Sequence, residues 1–149
     1  MDLESRLPAH NRSPADYVRL ARDPELPAAV LRELAGSPYL FVRFAVAGHP
    51  NADLAALRRV WEAGECNGYD FNHLLRLLAV HPAADRGLLL EVRGAAARLL
   101  ETAVERPYAA VLALAARPEL TDAEVRALTN LPGASRRLRR GILAALAER

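Results

Sequence analysis

Two histidines of this 149-residue chain share one register: His49 and His81 each stand immediately before a proline, Pro50 and Pro82, at the end of the same short motif. Imidazole is a common ligand for divalent metals, and packed helices lie about 10 Å apart. Two such side chains on stacked units would therefore make half of a metal site. The matching positions elsewhere hold Asp23 and Arg117, so the register accepts any polar residue and reads as an exposed turn. No third ligand follows it, and a closed site needs one; no metal or other cofactor is expected. Nucleophiles are as sparse. Serine occurs only at 5, 13, 37 and 135, and Ser13 and Ser37 precede Pro14 and Pro38 as helix caps do. The single cysteine, Cys66, excludes an intrachain disulfide, a thiolate zinc cage or an iron–sulfur cluster built from this chain alone. Gly-x-Ser-x-Gly, a phosphate-cradling glycine loop and His-Glu-x-x-His are missing from the sequence, and an enzyme is not expected. The acids Asp122 and Glu124, and Glu101 and Glu105, sit where helix dipoles and i, i+4 pairing place them.

Charge is the sharper feature. All 20 basic residues are arginine, against 18 acids, for a net charge of +2. Residues 132–149 hold five arginines and one glutamate, so the excess gathers at the C-terminal end. Within it, Arg136-Arg137-Leu138-Arg139-Arg140 opens a segment whose Leu138, Ile142, Leu143 and Leu146 form one apolar side of a helix. Such a basic amphipathic helix suits a phosphate backbone, an acidic partner or an anionic membrane surface, or it is the polar cap of a stacked array. Of the aromatics, Trp61 and Tyr69 flank a glycine-containing stretch as an interaction anchor would, although most aromatics so placed pack helices.

The element that must position these groups is a repeat. Leu20-Ala21-Arg22-Asp23-Pro24, Val46-Ala47-Gly48-His49-Pro50, Leu78-Ala79-Val80-His81-Pro82 and Leu114-Ala115-Ala116-Arg117-Pro118 are copies of one signature, and Leu146-Ala147-Glu148-Arg149 is a fifth copy short of its proline. Seven residues after each proline stand Leu31, Leu57, Leu89 and Val125; ten after stand Leu34, Val60, Val92 and Leu128. These are i, i+3 positions of one helix face. Three residues after the prolines come Pro27, Asp53, Asp85 and Thr121, the last opening the capping box Thr121-Asp122-Ala123-Glu124. A helix B is therefore predicted after each proline. A helix A is predicted before each: 14–22, 38–48, 70–80, 107–116 and 134–148, with Asp70 capping the third and Arg43, His73 and Arg76 interrupting apolar surfaces. No segment alternates as a strand does.

The proline spacings are 26, 32 and 36 residues. The second carries an insertion near 64–70, read as a loop; the third carries one at 94–106, which lengthens helix B or appends a turn after a break at Gly94. The expected fold is all-α: an α-solenoid of about four two-helix repeats plus a C-terminal capping helix, one domain over 13–149 behind an N-terminal arm of residues 1–12.

Val42-Arg43-Phe44-Ala45-Val46-Ala47-Gly48-His49-Pro50-Asn51, running on to Leu57, resembles the leucine-rich repeat variant family. The likeness covers about two thirds of the chain, is close over 20–60, looser over 78–92 and 114–128, and leaves out the two insertions. It implies a right-handed superhelix related to HEAT-type solenoids. Some members of that family hold a four-iron cluster on N-terminal cysteines; this chain has no such cysteines, so the cluster is not carried over. The family lends an architecture and no common activity.

A one-dimensional stack chiefly generates surface, so the expected function is a non-catalytic scaffold for a protein or peptide partner. Helix B would supply Arg32, Arg58, Arg59, Arg86, Arg93 and Arg126 as contacts, beside Trp61 and Tyr69. The competing expectation is nucleic-acid binding through those arginines with Arg136, Arg137, Arg139 and Arg140, against which Glu33, Glu62, Glu91 and Glu124 share the same helices. A third reading is a solenoid enzyme with a pocket at residues 64–71. No run of about 18 apolar residues spans a membrane, and a cytoplasmic monomer or weak oligomer is the expectation.

Overall fold

A computed structural model of the chain describes residues 2–63 and 66–149. Among them the protein is all-helical, without a strand, and no helix is long and apolar enough to cross a membrane. The contacts group into two compact units, Met1–Cys66 and Asn67–Arg149.

The first unit holds α1 (Pro14–Ala21), α2 (Ala28–Leu34), α3 (Leu40–Ala47) and α4 (Leu54–Glu62). Helix A packs on helix A and B on B, as α1 on α3 and α2 on α4, while α3 also packs on α4. The N-terminal arm is not loose: a 3-10 turn at Glu4–Arg6 leads to Leu7, which is buried. The second unit holds α5 (Gly68–Val80), α6 (Arg86–Thr102), α7 (Tyr108–Ala115), α8 (Asp122–Arg126), a 3-10 turn (Ala127–Asn130) and α9 (Arg136–Ala147). Here the A-type helices α5, α7 and α9 pack in that succession.

The apolar register places the spine. Leu31, Leu57, Leu89 and Val125, and Leu34, Val60, Val92 and Leu128, are all at most 1% exposed. The signature alanines Ala21, Ala47, Ala79 and Ala115 are fully buried, which lets neighbouring helices approach closely; Ala147 of the fifth copy is exposed. Local chemistry sets the helix starts. Asp53 accepts from Ala56 N at 2.9 Å and Asp85 from Leu88 N at 2.8 Å. Thr121 and Glu124 close the capping box reciprocally, and Ser13 N donates to the Asp16 carboxylate at 2.8 Å.

Several expectations are corrected. The third A helix begins at Gly68, capped by Asn67 Oδ1 accepting from Asp70 N, so Asp70 sits in the first turn and the later half of the inserted stretch is helix. Gly64 and Glu65, which open that stretch, lie outside the described residues. Ser37 does not cap a helix starting at Pro38: its Oγ accepts from Tyr39 N, and α3 starts at Leu40. Of the two readings of 94–106, the lengthened helix B holds: α6 runs through Gly94 and stops at Ala103, where the backbone turns left-handed (φ 55°). Leu143, assigned to the apolar side of the last helix, is 46% exposed, whereas Leu138, Ile142 and Leu146 are buried.

Two glycines in the second unit respond oppositely to a methyl group. A Cβ on Gly133 would lie 2.6 Å from the Leu100 carbonyl oxygen, to which Gly133 N already donates at 2.7 Å. On Gly94 the nearest atom is Nη1 of Arg98, 3.6 Å away. Gly94→Ala should therefore raise stability by about 0.5–1 kcal/mol, the helix-interior difference between the two residues. Gly133→Ala should lower it by about 1–3 kcal/mol, as crowding in packed regions does. Urea titration checks both, and equal shifts of one sign would refute the assignment.

Candidate functional site

The position before each signature proline is the first place where geometry departs from the sequence reading. His49 and His81 are each 4% exposed, so neither lies in an exposed turn. His49 Nε2 is 2.7 Å from the carbonyl oxygen of Asp23, and its Nδ1 accepts from Asn51 N at 3.0 Å; Nε2 thus carries the proton and donates. Asn51 Nδ2 donates in turn to the carbonyls of Pro24 and Leu26. Together the two side chains grip the preceding A–B turn.

In the second unit one arginine does the same work. Arg117, whose side chain is 12% exposed, donates to the carbonyls of Ala79 (3.1 Å), His81 (2.8 Å) and Ala84 (2.9 Å). Arg149 repeats the grip one copy later on Ala115, Arg117 and Leu120. The accepted carbonyls recur in register: the residue before the proline in all three grips, the residue two after it in all three, and the residue three before it in the arginine cases. They belong to the last turn of an A helix and to the turn beyond it, where carbonyls lack intrahelical partners and the dipole favours a cation. Within each unit the later signature copies thus clasp the one before: the second clasps the first, and the fourth and fifth clasp the third and fourth. The first copy alone carries an acid, Asp23, which accepts from Glu25 N. The run Asp, His, His, Arg, Arg was the available signal: every copy after the first presents an N–H donor.

The B-helix arginines proposed as partner contacts are largely engaged inside the fold. Arg32 of α2 pairs through Nε and a terminal nitrogen with Asp53 of α4, and this hydrogen bonding holds the Asp53 carboxyl below its ordinary range. Arg59 donates to the Arg32 carbonyl at 2.8 Å. Arg86 grips Glu124 with two nitrogens, at 2.7 and 3.0 Å, and reaches the Glu119 carbonyl. That pairing, with the Thr121 backbone bond, lowers the Glu124 carboxyl to about 2. Arg93 donates to the Glu124 carbonyl. Arg58 and Trp61 are half-buried in α4, and Tyr69 is 84% exposed at the start of α5. Arg43 is 7% exposed, and its Nε has no hydrogen-bond partner among the described residues.

The C-terminal arginines divide. Arg139 donates to the Thr129 carbonyl, whereas Arg136, Arg137, Arg140 and, on α8, Arg126 are exposed and form no ion pair among the described residues. Arg137 also lines a cleft of about 570 Å³ between α7 and α9, with Arg106, Tyr108, Ala109, Leu112, Ser135 and Leu138. Tyr108 shapes its end: its hydroxyl donates to the Gly133 carbonyl at 2.9 Å and accepts from Ser135 N. Sequence reasoning missed this cleft, because Arg106 lay in an insertion and Leu112 in a helix to which no candidate contact was assigned. No group of three or more metal-ligating side chains forms among the described residues.

No family model, curated protein or solved structure matches this chain. The functional reading therefore rests on geometry.

Proposed function

We propose that the chain is a non-catalytic scaffold for a protein or peptide partner, arranged as a right-handed α-solenoid of about four two-helix repeats of the leucine-rich repeat variant kind. The observation that carries it is the clasp in constant register. The histidines before the signature prolines are buried structural members, and the arginines of that register are spent on turn carbonyls. Side chains so committed fix a rigid stack, and a rigid stack offers area. The internally paired B-helix arginines move the expected contact surface away from helix B.

Arg136, Arg137 and Arg140 favour a second reading, a grip on phosphates. Retention on single-stranded or duplex DNA separates the two. The scaffold reading expects no retention at near-physiological salt and specific protein capture from nuclease-treated extract, confirmed by titration of the purified partner. A phosphate grip would give binding that falls with a log–log salt slope of about three or four and collapses in R136A/R137A/R139A/R140A. Micromolar DNA affinity surviving at near-physiological salt and lost in that variant would replace the scaffold assignment.

A further inference from the structure

From the α7–α9 cleft we infer a docking groove for an acidic amphipathic helix of a partner protein, one with apolar anchors on one face and carboxylates beside them. The inference rests on the scaffold reading and names the chemistry of its partner.

Charge complementarity points to that occupant. The floor is apolar, with Ala109 exposed and Leu112 38% exposed over the buried Leu138. Two guanidiniums, Arg106 and Arg137, line it, and no carboxylate does. Neither arginine forms an ion pair among the described residues. Four of the unit's acids are held elsewhere: Glu105 beside Gly68 and Asn72, Glu119 on Arg117, Glu124 on Arg86 and Asp122 on Arg149. Neither α7 nor α9 contains an acid along its length. An exposed apolar floor with unopposed cations beside it matches an amphipathic helix laid in a groove, with anchors at i and i+3 or i+4, and gains on-rate and specificity from opposite charge. A phosphate backbone would use the arginines and leave Leu112 without a role.

The register repeats in the first unit. Ala15 and Val18 stand nine and six residues before Pro24, as Ala109 and Leu112 do before Pro118, and they line a cleft of about 570 Å³ with Arg19, Arg22 and Phe41. There Arg19 is paired with Asp16 at 3.3 Å, and Arg22 alone of its arginines forms no ion pair among the described residues. The repeat thus builds this cleft on its A-helix side in both units, and in the second unit its arginines stay unpaired.

The test is fluorescence anisotropy on the full chain with a labelled synthetic helix bearing Leu at i, i+4 and Glu on both flanks. Its Lys-for-Glu counterpart and a single-stranded oligonucleotide serve as further probes. The expected result is saturable binding of the Glu helix, weakened at least about tenfold in R106E/R137E. That double variant should instead bind the Lys helix, a gain that misfolding cannot mimic, while Arg126→Glu on α8 leaves binding unchanged. Absence of saturable binding by the wild type, indifference to R106E/R137E, or equal competition by the oligonucleotide would each overturn the groove. A partner captured from nuclease-treated extract whose affinity ignores R106E/R137E would sink the groove and leave the scaffold reading intact.

Discussion

Arg117→Ala should destabilise the protein by about 3 kcal/mol, far more than a surface arginine would. The guanidinium satisfies three carbonyls, those of Ala79, His81 and Ala84, while also pairing with Glu119 at 3.0 Å. Removing one partner of a buried polar group costs about 1–3 kcal/mol because the other is left desolvated, and water entering the vacated space recovers part of the summed loss. Arg117→Lys should restore only a minor share, since an ammonium presents a compact point charge where the planar fork spans carbonyls several residues apart. The readout is the midpoint of a denaturant titration at constant slope. A loss below about 1 kcal/mol would mean that the clasp is ornamental. The arginine also holds the Glu119 carboxyl below its ordinary range through their hydrogen bonds, so in Arg117→Ala that carboxyl should titrate nearer its ordinary value, followed by NMR.

Leu89→Ala should cost about 2–5 kcal/mol, the range for a leucine deleted from a packed core. Leu89 is fully buried on α6, seven residues after its signature proline, and Leu57 is fully buried at the same register on α4. The cost combines lost apolar transfer with the cavity left behind, and a repeat whose small units share one apolar face has few atoms free to collapse into that cavity. Leu57→Ala in the first unit should lose a comparable amount. A change under about 1 kcal/mol at either position would remove that residue from the spine and break the alignment of the copies.

The helices were legible because their causes are local. Asp53, Asp85 and Thr121 cap within three residues of themselves, and the apolar residues seven and ten places after each proline lie on one helix face whatever the helix packs against. Failures at this level had equally local reasons. Asn67 outcompeted Asp70 as a cap because a side-chain carbonyl three residues ahead of Asp70 N was already in place. Between the two readings at Gly94, the lengthened helix prevailed because the buried Val92, Ala95 and Ala96 on either side override the poor intrinsic helix propensity of glycine.

What the sequence by itself determined, then, is the all-helical class, the register of the spine, most helix starts and the existence of a repeat, each set by interactions reaching about four residues. Only the tertiary structure decided what the polar residues beyond the helix caps do. The bond from His49 to Asp23 spans 26 positions, and those from Arg117 to Ala79 and from Arg86 to Glu124 span 38. An arginine facing three stranded carbonyls and one facing solvent have the same local sequence signature, because burial and partner distance are set by which helix packs beside which. For that reason Arg117 and Arg137, alike as letters, part company in the fold: one clasps a turn, and the other lines the groove between α7 and α9.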